Sequence, residues 1–447
     1  MTPPDVGPHA LAFRRERDEA ERARAPNTIA DFAAAAAKPK RKRPTRALPD
    51  WASRCIFDDY GRIIPNLANV LIALRALPEV KDAFAYDEMS CSARIRAALP
   101  VAPDGESASF AKIPRAVRDE DVSQLQEWLQ HQGMPKIGKD QVHQAVDQRA
   151  MERAFHPVRD YLDGLKWDKT PRLDDWLSTY LGSAKDAYTA KIGRMFLIGM
   201  VARISEPGCK MDYMLVLEGE QGARKSSALR ILAGDEWFSD SLPDLHHSDP
   251  VRLSMHLRGK WLVEIGELSA FGKADTEALK AFITRQEEKF TPKFARKEVV
   301  EPRQCAFAGS TNKDTYLKDE TGARRFWPTA LGRINLDALA RDRDQLFAEA
   351  VVAYRMGDHW WPDGAFEREH IKPQQAARHE ADAWEGPIRR FVKGLERATI
   401  AEVANGALDI ATGKISMADQ KRIAGVLTGI GWAPTRTMSE RFWTPAR

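Results

Sequence analysis

The stretch "LVLEGEQGARKSSALRIL", at Leu215–Leu232, has residue types and a spacing that could bind the phosphates of a nucleotide. A strand-like run enters a turn that contains Gly219 and Gly222, and the turn ends in Lys225 and Ser226 before a helical pattern. In such a loop, backbone N–H groups and a helix N-terminus surround the anion, the lysine adds charge, and the hydroxyl holds magnesium. The residues expected to bind nucleotide are Gly219, Glu220, Gln221, Gly222, Ala223, Arg224, Lys225, Ser226 and Ser227.

One position departs from the pattern G-x-x-x-x-G-K-[ST], because Arg224 stands where glycine is expected immediately before Lys225. The N–H of Arg224 can still face phosphate if the local backbone conformation is open to a non-glycine residue, with its side chain directed outward. A turn before an amphipathic helix could also produce such a string. We therefore predict that the stretch binds a nucleotide, whereas the sequence does not predict the rate at which the nucleotide is hydrolysed.

Acidic and amide side chains follow in the next strand-like runs. An NTPase needs carboxylates at the end of a neighbouring strand to hold magnesium and activate the attacking water. In "GKWLVEIGEL", the strand is expected at Trp261–Ile265, with Glu264 inside it and Glu267 just past its end. Glu267 is the better candidate for metal and water activation; Glu264 is second, with the alternative that it points outward from an edge strand. Asn312, after "RQCAFAGST", could position water or sense the γ-phosphate, with a capping role as the alternative.

Two adjacent arginines lie in "TGARRFWP", after a glycine turn. Arg324 and Arg325 suit presentation of a guanidinium to the nucleotide of a neighbouring subunit, where it would stabilise transition-state charge. A surface salt bridge is the alternative interpretation.

A basic hairpin is predicted from "RQEEKFTPKFARKEVVEPRQ", between the second and third strands. Basic side chains interleaved with aromatic ones suit a single-stranded nucleic-acid backbone with stacked bases, although a solvated loop is the alternative. The candidates for DNA contact are Lys289, Lys293, Arg296 and Lys297, accompanied by Arg303, Phe290 and Phe294.

The elements around these residues predict an α/β core with a mainly parallel sheet, because short apolar runs alternate with helical segments. Residues 1–48 are charged and poor in apolar residues, which predicts a disordered tail. Residues 49–150 are expected to form a helical accessory domain, and residues 151–360 the phosphate-loop domain with a helical lead-in. Within 361–447, "KRIAGVLTGIGW" and "APTRTMSERFWTP" predict a helix that feeds a small hairpin, as in a winged helix.

Composition narrows the class of protein. The 447 residues are 43% hydrophobic and 30% charged, which is ample for a globular core, and the net charge of +4 neither requires nor excludes nucleic acid. The four cysteines are scattered without zinc spacing. Since no signal peptide or membrane-crossing run is seen, we expect a soluble, cytoplasmic protein.

The order of loop, acid, basic hairpin, amide and paired arginines resembles the superfamily 3 helicases of small viruses and mobile elements. In more detail, the chain resembles the virulence-associated protein E family over Ile56–Trp361. That family is encoded by prophages and mobile islands and is treated as primase-helicase or replication proteins. The similar strings are "HPVRDYLDGLKWD", "PGCKMDYMLVLEGEQG", "GKWLVEIGEL", "ALKAFITRQ", "PRQCAFAGSTN" and "TGARRFWP".

This resemblance implies an AAA+-like core that binds ATP and Mg²⁺ between subunits of a homo-hexameric ring on single-stranded DNA. Replication proteins of the phage or host are candidates for further partners. Larger family members carry a primase domain, but no acidic cluster of that kind is seen here, so priming is not predicted. Carried over residue by residue, the resemblance places the phosphate loop at Gly219, Gly222, Lys225 and Ser226. It places the Walker B acid at Glu267, with Glu264 nearby, and the metal ligands at Ser226 and Glu267. The sensor corresponds to Asn312, and the arginine finger corresponds to Arg324 or Arg325.

Two classes of function follow. In the first, the chain is an ATPase and DNA helicase, which the acid, amide and paired arginines favour. In the second, it is a nucleotide-switched DNA-binding initiator, or an assembly or defence protein, with little ATP turnover. The departure at Arg224 and the winged-helix-like C-terminal region favour the second class.

Overall fold

The computed structural model describes residues 50–103, 112–245, 247–293, 295–317, 323–379, 382–436 and 441–446. The tail predicted at residues 1–48 lies outside the described residues. The described chain forms two compact units, one with the residues up to Tyr86 and Ala93–Ala154, the other with Asp87–Ser92 and the residues from Phe155 onward. In the part of the chain that the structure describes, no helix has the length and apolar character that crossing a membrane requires.

The first unit combines three helices with a small sheet. The helices are α1 (Leu67–Ala76), α2 (Asp119–His131) and α3 (Lys139–Met151). The strands are β1 (Phe84–Asp87), β2 (Ser92–Ile95), β3 (Arg115–Ala116) and β4 (Ala154–Phe155), in the order β3-β2-β1-β4. The sequence predicts a mostly helical domain here and does not reveal these strands, because strands of two to four residues are too short to give a period-two pattern.

The second unit is built on a five-stranded sheet in which all strands are parallel, in the order β11-β5-β10-β7-β6. This confirms the predicted mixed α/β fold with a mainly parallel sheet. The other two strands of this region, β8 and β9, form a separate antiparallel hairpin. The bounds are β5 (Met214–Glu218), β6 (Phe238–Ser239), β7 (Leu262–Ile265), β8 (Glu287–Phe290), β9 (Val299–Pro302), β10 (Ala306–Thr311) and β11 (Phe326–Ala330).

Helices cover both faces of this sheet. Leu215 and Leu217 of β5 contribute to one core, whereas Met214 and Val216 contribute to a second core on the opposite face. Burial on both faces explains why the strands read as continuous apolar runs. The helices are α4 (Pro157–Gly164), α5 (Trp176–Leu181), α6 (Ala187–Ser205), α7 (Lys225–Ala233), α8 (Pro250–Leu257), α9 (Lys273–Ile283) and α10 (Leu336–Arg355).

The short helices within residues 364–377 pack against the sheet, since Ile371 belongs to the same core as Leu215 and Leu217. The later helices and a hairpin surround a core of their own, which includes Ile388, Leu427 and Trp443. The predicted helix followed by a hairpin is present. The elements are α11 (Gly364–Phe366), a π-helical turn (Glu367–Ile371), α12 (Lys372–Ala377), α13 (Glu385–Val392), α14 (Ile400–Leu408), α15 (Met417–Gly429), β12 (Trp432–Arg436) and β13 (Arg441–Pro445). Short 3-10 turns lie at Ala52–Arg54, Asp235–Trp237, Leu268–Ala270, Ala323–Arg325 and Thr412–Lys414.

Candidate nucleotide site

The glycine turn joins the end of β5 to the start of α7, so it lies at the carboxyl edge of the parallel sheet. Its first residue is held in place, because the Gly219 N–H donates to the Thr311 carbonyl of the neighbouring strand at 3.2 Å. Gly222 has a φ of +82°. The N-terminus of α7 follows directly, and its free N–H groups with the helix dipole favour an anion at this point.

Arg224 adopts the left-handed conformation, with φ 66° and ψ 27°, and its side chain is exposed. Phosphate loops carry glycine at this position, and the backbone angles give the reason: this region costs a non-glycine residue about 1–2 kcal/mol. The backbone therefore keeps a conformation typical of glycine even though the residue is arginine. The outward side chain leaves the inner side of the loop open.

Lys225 folds back over the turn. Its Nζ donates to the carbonyl of Gly219 at 2.7 Å and to that of Glu220 at 2.9 Å. Partial burial lowers the pKa of Lys225, an effect that the nearby Glu264 opposes. The lysine charge is therefore placed above the same turn that presents the backbone N–H groups.

Glu264 is the acid that the structure brings to the loop. Its Oε1 accepts from the Ser226 hydroxyl at 2.9 Å and from the Ser310 hydroxyl at 2.6 Å. The side chain is 2% exposed, and Oε2 is buried without a hydrogen-bond partner in the described part of the chain. Because β7 lies between β10 and β6, the alternative that Glu264 points outward from an edge strand is wrong.

Glu267 and Asn312 are both exposed just beyond the ends of their strands. Glu267 follows β7 by two residues and has a φ of +52°. Asn312 directly follows Thr311, which is in register with Glu218 at the end of β5. Both side chains thus begin at the carboxyl edge of the sheet, whereas contact with Ser226 is made by Glu264 rather than by Glu267.

A buried polar cluster behind the loop was not found from the sequence. Glu218, the last residue of β5, accepts from Arg378 through both oxygens and from the Tyr316 hydroxyl at 2.9 Å. Burial is the main cause that raises the pKa of Tyr316, and the neighbouring Glu218 carboxylate adds to it. The reasoning that singles out Glu264, an acid within an apolar strand, applies equally to Glu218 and could have found it.

The paired arginines lie at the amino ends of the parallel strands, whereas the phosphate loop lies at their carboxyl ends. Arg324 and Arg325 form a 3-10 turn directly before β11, whose first residue, Phe326, is in register with Met214 at the start of β5. The loop follows the other end of β5, about 16 Å away at 3.3 Å per residue. The structure therefore does not bring these arginines to the phosphate loop of their own chain.

The predicted basic hairpin is present as β8 and β9. Lys289 is on its exposed face, where it pairs with Glu287 at 2.8 Å. Lys293, Arg296 and Lys297 are exposed in the connection between the two strands.

The aromatic part of the hairpin prediction is wrong for Phe290, which is 5% exposed and packs against the guanidinium of Arg258. Arg303 is also buried, in an ion pair with Glu288, whose other oxygen accepts from Ser254 at 2.8 Å. Alternation along β8 sends Glu288 and Phe290 inward, and Arg303, directly after β9, meets Glu288 at the base of the hairpin. Phe294 lies outside the described residues.

Comparison with known proteins supports the family resemblance. Residues 162–380 match the virulence-associated protein E-like domain. Two solved structures of the NrS-1 C-terminal region are similar to this chain. An apo structure shares 14% identity over 81% of this chain and 95% of the other, with a TM-score of 0.46. An A-form apo structure shares 14% identity over 64% and 78%, with a TM-score of 0.39. Comparison with curated proteins found no match. The chain thus contains a virulence-associated protein E-like domain at residues 162–380.

Proposed function

We propose that this chain is an ATP-dependent DNA helicase or translocase that acts on single-stranded DNA as a ring, in the replication of a phage, prophage or mobile element. The observation that carries the proposal is the Glu264 carboxylate, which is buried against the Ser226 hydroxyl at the start of α7. A buried carboxylate is costly unless something compensates it, and one of its oxygens has no partner within the described residues. A loop built for phosphate beside such an acid fits a nucleotide with its magnesium ion.

The residues present fit Mg²⁺, which takes oxygen ligands and uses few from the protein, the rest coming from phosphates and water. The Ser226 hydroxyl and the Glu264 carboxylate would hold it. When bound, the ion neutralises charge that develops on the transferred phosphoryl group. The loop N–H groups and Lys225 bind the phosphates of ATP.

The two acids then have different roles in this proposal. Glu264 supports the metal side, and Glu267, exposed at the strand end, orients and deprotonates the attacking water. Asn312 senses the γ-phosphate. Arg324 and Arg325 lie at the amino ends of the strands, away from the phosphate loop of their own chain. In our proposal they contact the nucleotide bound by the next subunit of a ring, which is a homo-hexamer.

The architecture that accompanies this function is an AAA+-like core within residues 151–360 and a winged-helix-like module within 361–447. The hairpin supplies the DNA contact through Lys289, Lys293, Arg296 and Lys297. Since Phe290 is buried, the phosphate backbone rather than base stacking dominates this contact, and we expect the affinity to fall steeply with salt.

The test is steady-state ATP hydrolysis with and without single-stranded DNA, alongside equilibrium ATP binding. Lys225→Ala should weaken ATP binding about tenfold or more, because it removes a charge-assisted contact. Glu267→Gln should bind ATP normally and lower turnover by about 100-fold or more, because it removes the base. Glu264→Gln should raise the magnesium concentration needed for half-maximal activity. Glu79→Gln, an exposed acid in the first unit, is the matched control and should leave all three readouts unchanged.

If the rate of ATP hydrolysis is unchanged in both Lys225→Ala and Glu267→Gln, the proposal of an ATP-dependent helicase is wrong. The second candidate, a nucleotide-switched initiator or an assembly or defence protein, is favoured by the arginine at position 224 and by the helix and hairpin at the C-terminal end. It predicts ATP-dependent assembly with negligible turnover in the wild type, so particle size with and without ATP, measured together with the rate of ATP hydrolysis, decides between the two.

A further inference from the structure

We infer that Arg333 binds the α-phosphate of the nucleotide held by its own chain. This inference rests on the proposed function, because it assigns a further binding residue to the same site. Arg333 follows β11, the strand next to β5, and none of the roles described above uses it.

Arg333 lies beside the start of the phosphate loop. The Leu331 N–H donates to the Glu218 carbonyl at 2.9 Å, which extends the pairing of β11 with β5 to the last residue before the glycine turn. A Cβ built on Gly219 would lie 3.8 Å from the Cβ of Leu331. Arg333 begins two residues beyond this contact, at the same edge of the sheet.

The segment that carries Arg333 is held firmly. The Gly332 N–H donates to the Leu181 carbonyl at 3.1 Å, and the Asn335 N–H to the Tyr180 carbonyl at 2.8 Å. The backbones approach so closely that a Cβ on Gly182, whose φ is +67°, would lie 2.7 Å from the Arg333 nitrogen. Because this backbone is already ordered, no loop has to be fixed when the Arg333 guanidinium binds an anion, and that part of the entropy cost is avoided.

The side chain itself is available. Arg333 is exposed, and within the described residues it has no hydrogen bond or ion pair. Most other arginines of this unit are engaged by acids or carbonyls, as Arg343 is by the carbonyls of Leu232 and Ala233. Arg333 therefore offers a free charge next to a loop built for anions.

The order of strands decides which phosphate Arg333 meets. Glu264, proposed for the metal, lies in β7, and Asn312, proposed for the γ-phosphate, directly follows β10; both strands are on one side of β5. Arg333 follows β11, on the other side of β5. A phosphate chain whose γ end faces β10 directs its α end toward β11, where Arg333 is the guanidinium in position.

The test is equilibrium binding of Mg-ADP and Mg-ATP to the full chain. Arg333→Ala should weaken both by a similar factor, about tenfold, as expected for loss of a charge-assisted hydrogen bond. Arg333→Lys should recover part of this affinity. Asn312→Ala should weaken ATP alone, and the exposed Arg341→Ala, eight residues further on, should change neither. Thermal unfolding of the Arg333 variants should match the wild type, because the side chain is exposed.

The outcomes separate this inference from the function on which it rests. A wild-type chain that binds neither nucleotide overturns both. If the wild type binds and Arg333→Ala binds both nucleotides equally well, only the role of Arg333 is overturned. Loss of ATP affinity with ADP affinity kept would place Arg333 at the γ-phosphate and also contradict the inference.

Discussion

Arg378 holds Glu218 in a buried ion pair directly before the first glycine of the phosphate loop. Its Nε lies 2.9 and 3.1 Å from the two carboxylate oxygens, and its Nη2 lies 2.8 Å from one of them. The side chains are 16% and 8% exposed. The Tyr316 hydroxyl completes the cluster, so the loop, the segment after Asn312 and the end of α12 meet at one carboxylate.

Replacing Arg378 with Met should lower the free energy of unfolding by about 3–5 kcal/mol, because it leaves Glu218 as an uncompensated buried charge. The double variant Arg378→Met with Glu218→Gln should recover at least half of that loss. Urea unfolding followed by circular dichroism measures both. Arg62→Met, which breaks an exposed pair with Asp58, is the control and should cost less than about 1 kcal/mol. If Arg378→Met lowers the free energy of unfolding no more than Arg62→Met does, Arg378 and Glu218 do not form a buried ion pair.

The loop and the strands around it could be predicted because their signals are local: an apolar run, a glycine turn and a Lys-Ser pair in sequence. The identity of the acid that meets Ser226 could not be predicted with the same security. Glu264 and Glu267 are three residues apart, and the choice depends on β10 lying beside β7 and placing Ser310 against Glu264. Strand order is a tertiary property that residue spacing does not contain.

Arg378 shows the limit more clearly, since it is 160 positions from Glu218 and directly follows α12, with no local signal for a partner. The hairpin shows a related limit. Alternation along β8 predicts that Lys289 and Phe290 face opposite sides, but only the packing of Arg258 on Phe290 decides which side is buried. The sequence therefore predicts which residue types are present at the site and leaves their pairing to the fold.

The left-handed backbone at position 224 leads to a prediction that compares two variants. Arg224→Gly should be more stable than Arg224→Ala by about 1 kcal/mol, because only glycine adopts a φ of 66° without steric cost. The order should reverse at the exposed helical position Ser227, where alanine should exceed glycine by about 1 kcal/mol. Urea unfolding midpoints measure the four variants. If alanine and glycine rank alike at both positions, the backbone at 224 is not left-handed in solution.

Asp121 at the start of α2 predicts how stability of the first unit depends on pH. Its carboxylate accepts from the two Arg115 guanidinium nitrogens at 2.6 and 2.7 Å and from the Arg118 N–H at 2.8 Å. Burial is the largest influence and raises the pKa of Asp121, but these hydrogen bonds together outweigh it and hold the pKa below its ordinary value. The ionised form is therefore favoured in the folded state, and this contribution is complete above the pKa of the unfolded chain.

Stability from Asp121 should be lost as pH falls through the folded-state pKa, because the proton that the carboxylate then binds removes the ion pair. Asp121→Asn should be less stable than the wild type at pH 7, and the difference should shrink below about pH 4, near the pKa of a free aspartate. Urea unfolding read by pulse hydrogen exchange in peptides across Asp119–His131 reports this unit within the full chain. Glu127→Gln, an exposed acid on the same helix, should show a small difference that does not change with pH. A constant gap between Asp121→Asn and the wild type from pH 7 to about pH 3 would contradict a lowered pKa.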